Sequence, residues 1–216
     1  GIDPVRVTVS LNGVDHDIFS PDASVERDSD HIMTIASADV PIKGLDVLID
    51  ALALLKAKGR TPHLTVVGSL RDGPTKTALQ RTGLMEQVNF VSGLSTEELV
   101  AHYRRCSVFV SASRFEGFGL PAAEAMACAA PVIVSDGGAL PEVAGDAGIV
   151  TPAEDPGALC DALDWVLGDD QLRADMSTNC LARAQSEFRW DKHAEAAIAL
   201  YREALKSRQN TGADAP

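Results

Sequence analysis

Basic side chains are what this sequence has least of relative to their opposite. Over 216 residues, 19 Lys and Arg stand against 31 Asp and Glu, a net charge of −12. A nucleic-acid binder needs a basic stripe to displace the counterions of a phosphate backbone, so this balance excludes nucleic acid as a partner. Aromatics make up only 5% of the chain, and Ala, Val and Leu carry most of the apolar content, which suits helices packed on a buried sheet. No apolar run approaches the roughly 20 residues that span a bilayer. No signal peptide opens the chain. The first residue is Gly1 rather than Met, which suggests a piece of something longer. Cys106, Cys128, Cys160 and Cys180 are widely separated and lie in apolar or helical surroundings, so they read as buried free thiols rather than a disulfide frame or a metal site. The five histidines show neither HxxxH nor HExxH spacing, and no metal is expected. The length is enough to bury one good core.

The acid is unevenly placed. Between Glu154 and Asp175 lie seven acidic residues and one basic residue, Arg173, most simply a solvated helical face. The candidate ligand loops carry cations instead: Lys43, Arg71 and Arg114.

The most informative segment runs from Ser113 to Ala127, where Glu116 and Glu124 stand eight positions apart. Between them lies a glycine-flanked aromatic, Gly117-Phe118-Gly119, and then Pro121. Proline suits a first helical turn, because its φ fits and its missing N–H would have no intrahelical partner. With the apolar run Val108-Phe109-Val110-Ser111 before it, the segment reads as strand, exposed loop and helix start. Free N–H groups at such a helix end attract anions, and glycines allow a phosphate close approach. Carboxylates accept hydrogen bonds from hydroxyls, so they suit a sugar or ribose. The chemistry suggested is a phosphate with a sugar on each side.

From His31 onward, strand-like and helix-like runs alternate. Strands are expected at 32–36, 64–68, 88–91, 108–111, 132–134 and 148–150. Leu45, Leu48, Ile49, Leu52 and Leu55 recur at helical spacing up to Gly59. Pro74 opens another helix, Ser95 with Glu98 forms a capping box, a short helix lies around 141–143, and Asp155-Pro156 caps the first of three closing helices. Strands separated by single helices imply crossovers, hence an α/β, doubly wound parallel sheet of about six strands with helices on both faces. The β-branched strands agree with burial on both sides. Ligands in such folds sit at the carboxyl ends of the strands, where Lys43, Gly68, Leu94, Glu116 and Asp136 should gather. Residues 1–30 hold one short strand, 5–9, and a polar stretch. The helix of residues 190–206 carries an apolar stripe of Ala194, Ala197, Ile198, Tyr201 and Leu205 that needs a cover, and 207–216 is expected to be disordered.

Other readings remain beside these. Gly68 and Gly93 also fit turn glycines that end strands, and Asp136 fits a helix cap as well as a ligand contact. Trp165 and Trp190 read as packing residues; His102 and His193 are assigned no function. Gly117-x-Gly119-x-x-Ala122, with Asp136 beyond it, formally fits a dinucleotide-binding fingerprint. Against it, the five residues Ala112 to Glu116 separate the loop from its strand, and it follows the fourth strand rather than the first.

The ordered motifs resemble the C-terminal domain of a GT-B-fold glycosyltransferase of the large retaining family 4. Asn12-Gly13-Val14-Asp15 with Phe19-Ser20-Pro21 is similar to that family's inter-domain linker, and Lys43-Gly44 to its Lys-Gly after the first strand. Val66-Val67-Gly68 is similar to its second-strand glycine, Phe90-Val91-Ser92-Gly93-Leu94-Ser95 to its base-side loop, and Phe188-Arg189-Trp190 to its closing motif. Glu116-Gly117-Phe118-Gly119-Leu120 with Glu124-Ala125-Met126-Ala127 matches its paired-glutamate motif.

The resemblance implies a Rossmann-like nucleotide-sugar-binding domain over residues 31–189, preceded by a linker over 1–30, with the helix 190–206 crossing to an N-terminal domain that this chain lacks. Lys43 and Glu116 would be the catalytic pair: Lys43 on the diphosphate, Glu116 accepting from sugar hydroxyls and facing an oxocarbenium-like transition state. Gly117, Phe118, Gly119 and Leu120 would hold phosphate and donor sugar, Glu124 the ribose hydroxyls, and Gly68 and Leu94 the rest of the donor. No cofactor or metal is implied; a UDP-, GDP- or ADP-sugar is the donor substrate. The missing domain would supply the acceptor site, so this chain alone would bind nucleotide without transferring sugar. Without that domain the last helix is open to self-association. The cytoplasm is the implied location, peripheral to a membrane through the missing domain. One departure stands out. The family's Gly-Arg ahead of the Lys is Ser37-Ala38 here, which leaves Arg71 and Arg114 as the nearest sources of a second cation. A nucleotide-sugar epimerase of the same fold and a non-catalytic interaction module are the alternatives.

Overall fold

The computed structural model describes residues 9–37 and 39–211. Its centre is a six-stranded parallel sheet: β1 (His31–Ile35), β2 (His63–Val67), β3 (Val88–Val91), β4 (Val108–Ser111), β5 (Val132–Ser135) and β6 (Ile149–Thr151), in the order β3-β2-β1-β4-β5-β6. Between them run α1 (Leu45–Ala57), α2 (Pro74–Thr82), α3 (Thr96–Arg105), α4 (Leu120–Ala127) and α5 (Leu140–Ala144); α6 (Pro156–Gly168), α7 (Asp170–Glu187) and α8 (Trp190–Thr211) close the chain. This is the doubly wound α/β architecture that the alternation of β-branched and amphipathic runs predicts.

Period-two alternation along the strands divides the core into two layers. Ile32, Leu64, Val66, Val108, Val110 and Ile133 point to the side covered by α1 and α6. Met33, Phe109, Val132 and Val134 point to the side covered by α4, α5 and α7. On α1 the expected positions Leu45, Leu48, Ile49, Leu52 and Leu55 are all buried. Each such side chain stabilises the fold by about 1.5–3 kcal/mol relative to exposure. Gly59, at φ 91°, then turns the chain away. The capping box forms as expected: Glu98 N donates to Ser95 Oγ and Ser95 N to Glu98 Oε2. Asp155 caps α6 by accepting from Ala158 N.

The segment before β1 is stitched onto the body. Val14 is buried, and its N–H donates to Phe188 O at 2.9 Å. Arg27 donates to the carbonyls of Tyr103, Cys106 and Cys128 at 2.7–2.9 Å, so one guanidinium closes the carboxyl ends of α3 and α4. The strand expected over residues 5–9 lies, apart from Val9, outside the described residues. So does Ala38.

Two expectations need correction. The last helix runs on to Thr211 rather than stopping at residue 206, because no glycine or proline intervenes before Gly212; residues 212–216 lie outside the described residues. Trp165 and Trp190 are 59% and 54% exposed, so Trp165 does not pack as expected, while Trp190 packs only in part, edge-on to His193 at 5.7 Å between centroids. Trp165 sits on the outer face of α6, and Trp190 lays only one side against Gly13, where an added Cβ would come within 2.6 Å of the indole. On α8, Ile198, Tyr201 and Leu205 are exposed. No helix among the described residues is long and apolar enough to cross a membrane.

Candidate functional site

The strand order reverses between β1 and β4, and helices leave these two neighbours on opposite faces. Such a switch point opens a crevice at the carboxyl edge of the sheet. Here the β1–β4 ladder pairs Ile32 with Val108 and Met33 with Phe109, while the strands themselves continue to Ile35 and Ser111. The two strands therefore leave the sheet unpaired with each other, each carrying a loop into the crevice.

The loop after β1 ends in a single 3-10 turn, Pro41–Lys43, closed by Gly44 at φ 62°. Glycine is required there twice over. The left-handed backbone disfavours a Cβ, and an added Cβ would lie 1.9 Å from Ala112 O. Arg114 N donates to Ile42 O at 2.8 Å, so this turn and the loop after β4 are bonded side by side. Lys43 Nζ consequently meets Glu116 Oε1 at 2.7 Å, although 73 positions separate the two residues. The same oxygen accepts from Ser113 Oγ at 2.9 Å. Behind Glu116, Ala139 N donates to Glu116 O at 3.0 Å. Cβ atoms on Gly137 and Gly138 would strike Ser113 O and Glu116 O at 2.4 and 2.3 Å. The buried Ser113 and this glycine pair position Glu116; sequence reasoning did not single them out, though the doublet Gly137-Gly138 at a strand end was the available signal.

Beyond Glu116 the backbone opens. Nothing lies within 4 Å of a Cβ placed on Gly117, whereas Gly119 is at φ 97° and enters α4 with no side-chain cap. Among the described residues, the N–H groups of Gly117, Phe118, Gly119 and Leu120 have no hydrogen-bond partner. Unsatisfied donors at a helix start form an anion site. The neighbouring helices contrast with this. The α3 start is closed by its capping box, α6 by Asp155 and α2 by Asp39, whose Oδ1 accepts from Thr75 N and Thr75 Oγ1 at 2.9 Å. The two helices that flank the switch point, α1 and α4, start on Gly44 and Gly119, which supply no side-chain cap. Phe118 leaves the loop edge-on to Phe188, 5.8 Å between centroids, and Leu120 is 42% exposed.

The other expected residues lie around this group rather than in it. Glu124 is one turn inside α4, where its Oε2 accepts from Tyr103 Oη at 3.0 Å. Burial raises the Glu124 carboxyl above its ordinary range, against the lowering effect of that hydrogen bond. The Tyr103 phenol is pushed well up, by burial first and then by Glu124. Gly68 ends β2 with its backbone against Ala36, where a Cβ would stand 2.3 Å from Ala36 O. Leu94 is half-buried after β3, two strands from β1, and shares no hydrogen bond with the Lys43–Glu116 group among the described residues.

Arg114, one of the two expected sources of a second cation, is not available. Its guanidinium is held by Asp46 and Glu154 at 2.7 Å each and by Pro41 O. Facing two carboxylates, it belongs to the scaffold that holds the Lys43 turn. Among the described residues Asp136 neither caps the next helix nor bonds to the crevice group; it accepts from Ala153 N at 2.7 Å and ties the β5 loop to the β6 loop. A cleft of about 780 Å³ opens elsewhere, between α1 and α2, lined by residues that include Leu45, Ile49, Asp50, Ala78 and Arg81 but neither Lys43 nor Glu116. Its α2 end is already filled by Asp39, so the unsatisfied donors at the switch point mark the better candidate.

The family model described as "Glycosyl transferases group 1" matches residues 18–183. The chain is 37% identical over 209 residues to an MMP alpha-(1->4)-mannosyltransferase of Mycolicibacterium hassiacum, covering 94% of this chain and 50% of that protein. It thus spans about half the length of the curated relatives it matches. A solved C-terminal domain of a glycosyl transferase group 1 family protein, LpcC from Francisella tularensis, superposes with a TM-score of 0.71 at 26% identity, covering 82% of this chain and 100% of that one. Anabaena HepE, solved in complex with UDP and glucose, superposes with a TM-score of 0.75 at 22% identity, over 90% of this chain and 57% of that one, and shares the fold.

Proposed function

The chain belongs to the group 1 glycosyl transferases, and on that footing we propose that it is the donor-binding, C-terminal domain of a retaining, family 4 type enzyme. That enzyme moves a hexosyl group from a nucleoside-diphosphate sugar to an acceptor. The observation that carries this reading is the conjunction at the switch point: Lys43 Nζ 2.7 Å from Glu116 Oε1, beside four backbone N–H groups at the start of α4 that have no partner among the described residues.

Each group has a role that its chemistry allows. The N–H groups of Gly117 to Leu120 donate to the diphosphate, and the open side of Gly117 gives phosphate room to reach them. Lys43 is a compact point charge on the same oxygens. As the bond from sugar to phosphate lengthens, negative charge grows on the leaving diphosphate, and fixed donors aimed there stabilise it without reorganisation. Glu116, held from behind by Ser113, accepts from hydroxyls of the donor sugar, and its negative charge favours the positive ring of an oxocarbenium-like transition state. Glu124 is the residue proposed for the ribose hydroxyls, with Gly68 and Leu94 bordering the donor on the β2–β3 side. Charge neutralisation is assigned here to protein cations and helix-end donors rather than to a metal. The acceptor site belongs to the half of the relatives' length that this chain does not span, so the chain by itself binds donor without transferring sugar.

Thermal unfolding with UDP, GDP, ADP and NAD tests the reading. A ligand that binds only the folded state raises stability by mass action, by about 2.7 kcal/mol at a hundredfold excess over Kd. Stabilisation by one or more of the three diphosphates is expected. A response to none of them, or to NAD alone, overturns it.

A further inference from the structure

We propose that Arg71 supplies the second positive charge on the donor diphosphate; the assignment rests on the donor-binding reading above. Six loops lead from strand ends to the next helix, and only three cations stand in them: Lys43, Arg71 and Arg114. Arg114 is clamped between Asp46 and Glu154. Lys43 already shares its charge with Glu116. Arg71 is exposed and has no hydrogen bond or ion pair among the described residues, since its neighbour Asp72 pairs with Lys76. A diphosphate brings more negative charge than one half-neutralised lysine offsets. Arg71 is the strand-edge cation whose charge nothing among the described residues offsets.

Its loop is also held in the right place. β1 and β2 run in register to Ile35 and Val67, so the two following loops leave the sheet side by side. The β2 loop is fixed to the β1 loop at both ends. At the start, Gly68 lies so close to Ala36 and Ser37 that an added Cβ would be 2.3 and 3.0 Å from Ala36 O and Ser37 Cα. At the finish, Asp39 N donates to Thr75 Oγ1 at 3.2 Å and Thr75 N to Asp39 Oδ1 at 2.9 Å. Arg71 therefore rides on a short arch over the segment that leads to Lys43. The Asp39 carboxylate occupies the nearby start of α2, so the helix end there cannot serve the phosphate, and the guanidinium is the only cation the arch offers. Its planar fork suits two oxygens of one phosphate or a bridge between both.

Titration calorimetry of the 216-residue chain with UDP, GDP and ADP tests the assignment, using Arg71→Ala, Arg71→Lys and, as an equal-charge control on the outer part of α2, Arg81→Ala. Arg71→Ala should unfold at the wild-type temperature and bind the preferred diphosphate roughly tenfold to a hundredfold more weakly, the range for one charge-assisted hydrogen bond. Arg71→Lys should recover part of the loss, and Arg81→Ala should bind as wild type. Wild-type affinity in Arg71→Ala, or equal losses in Arg71→Ala and Arg81→Ala, overturns the assignment and leaves the donor site standing. If wild-type chain binds none of the three diphosphates, the donor-binding reading falls and this assignment with it.

Discussion

Two glycines two positions apart in the α4 loop should respond to the same substitution in opposite ways. Gly119 stands at φ 97°, and a Cβ there would lie 2.7 Å from Leu140 Cδ2. Leu140 is fully buried and cannot swing into solvent to make room. The left-handed backbone costs an alanine about 1–2 kcal/mol, and forcing a methyl against packed Leu140 costs about 1–3 kcal/mol more. For a chain of this length each kcal/mol moves Tm by about 2–4 °C, so Gly119→Ala should unfold roughly 4–20 °C below wild type. Gly117 is not among the glycines with positive φ, and its added Cβ would meet nothing within 4 Å. Alanine fits that backbone and restricts the unfolded chain, so Gly117→Ala should be stabilised by about 0.4–1 kcal/mol. Yet its methyl occupies the opening through which phosphate would approach the free N–H groups. Affinity for the preferred nucleoside diphosphate should fall roughly tenfold to a hundredfold, as for loss of one charge-assisted hydrogen bond. Differential scanning calorimetry and titration calorimetry on the same preparations read both quantities. Comparable destabilisation of the two variants would refute the packing argument. Wild-type affinity in Gly117→Ala would refute the placement of the anion.

Arg27→Met keeps the aliphatic stem but leaves the carbonyls of Tyr103, Cys106 and Cys128 without their shared donor; urea unfolding should show a loss of about 2–4 kcal/mol at unchanged m, and a change within error would contradict the staple. Burial pushes the thiols of Cys106, Cys128 and Cys180 up to about 12, so at mildly alkaline pH a disulfide reagent should titrate none of these three in the folded chain and all four cysteines once guanidinium is added; fast native labelling of any of the three sinks this. Burial also raises the Glu124 carboxyl above its ordinary value of 4.5, so the folded state holds that proton more tightly than the unfolded chain does. Its contribution to stability is complete below the ordinary value and is lost as pH rises through the raised one. Glu124→Gln keeps an acceptor for Tyr103 and does not titrate, so its stability relative to wild type should climb as pH rises from about 4 to about 7; a difference that stays constant with pH would show that Glu124 carries no such penalty.

What could be read from the sequence was local, and what could not was long-range. The α1 stripe, the Ser95–Glu98 box and the Asp155 cap each lie within a few residues, so spacing alone reveals them. The placing of Lys43, Gly68, Leu94, Glu116 and Asp136 at one sheet edge follows from the alternation of strands and helices. Chain order says nothing, however, about which strands are neighbours. That β1 adjoins β4 is what brings Lys43 to Glu116, and a sequence with β1 at the sheet edge would have scattered them. The partners of Arg114 are likewise invisible in one dimension: Asp46 and Glu154 lie 68 and 40 positions away, and only the fold turns a promising loop cation into a strut. Asp136 was ambiguous for the same reason, since its partner Ala153 sits on the next loop across the sheet.

The acidic balance of the chain and a site for an anion are compatible because charge acts over short distances. At physiological ionic strength exposed charges are screened beyond about 8 Å, so what matters at the switch point is the set of groups there, not the sum of −12. Much of the acid in the α6–α7 region is matched where it stands. Asp161 and Asp164 face Lys58 across the seam between α1 and α6, Asp164 also faces Arg60, and Asp170 pairs with Arg173. At the carboxyl edge the pattern inverts. Asp39, Asp155 and Ser95 close the starts of α2, α6 and α3, and each such cap removes a place where phosphate could settle. The N-cap glycines of α1 and α4 supply none, and these helices flank the crevice that holds Lys43. Selectivity for the proposed anion site would therefore come as much from blocking its rivals as from building the site itself. The paired-glutamate loop matters because its two glycines leave α4 open where a serine or aspartate would have shut it.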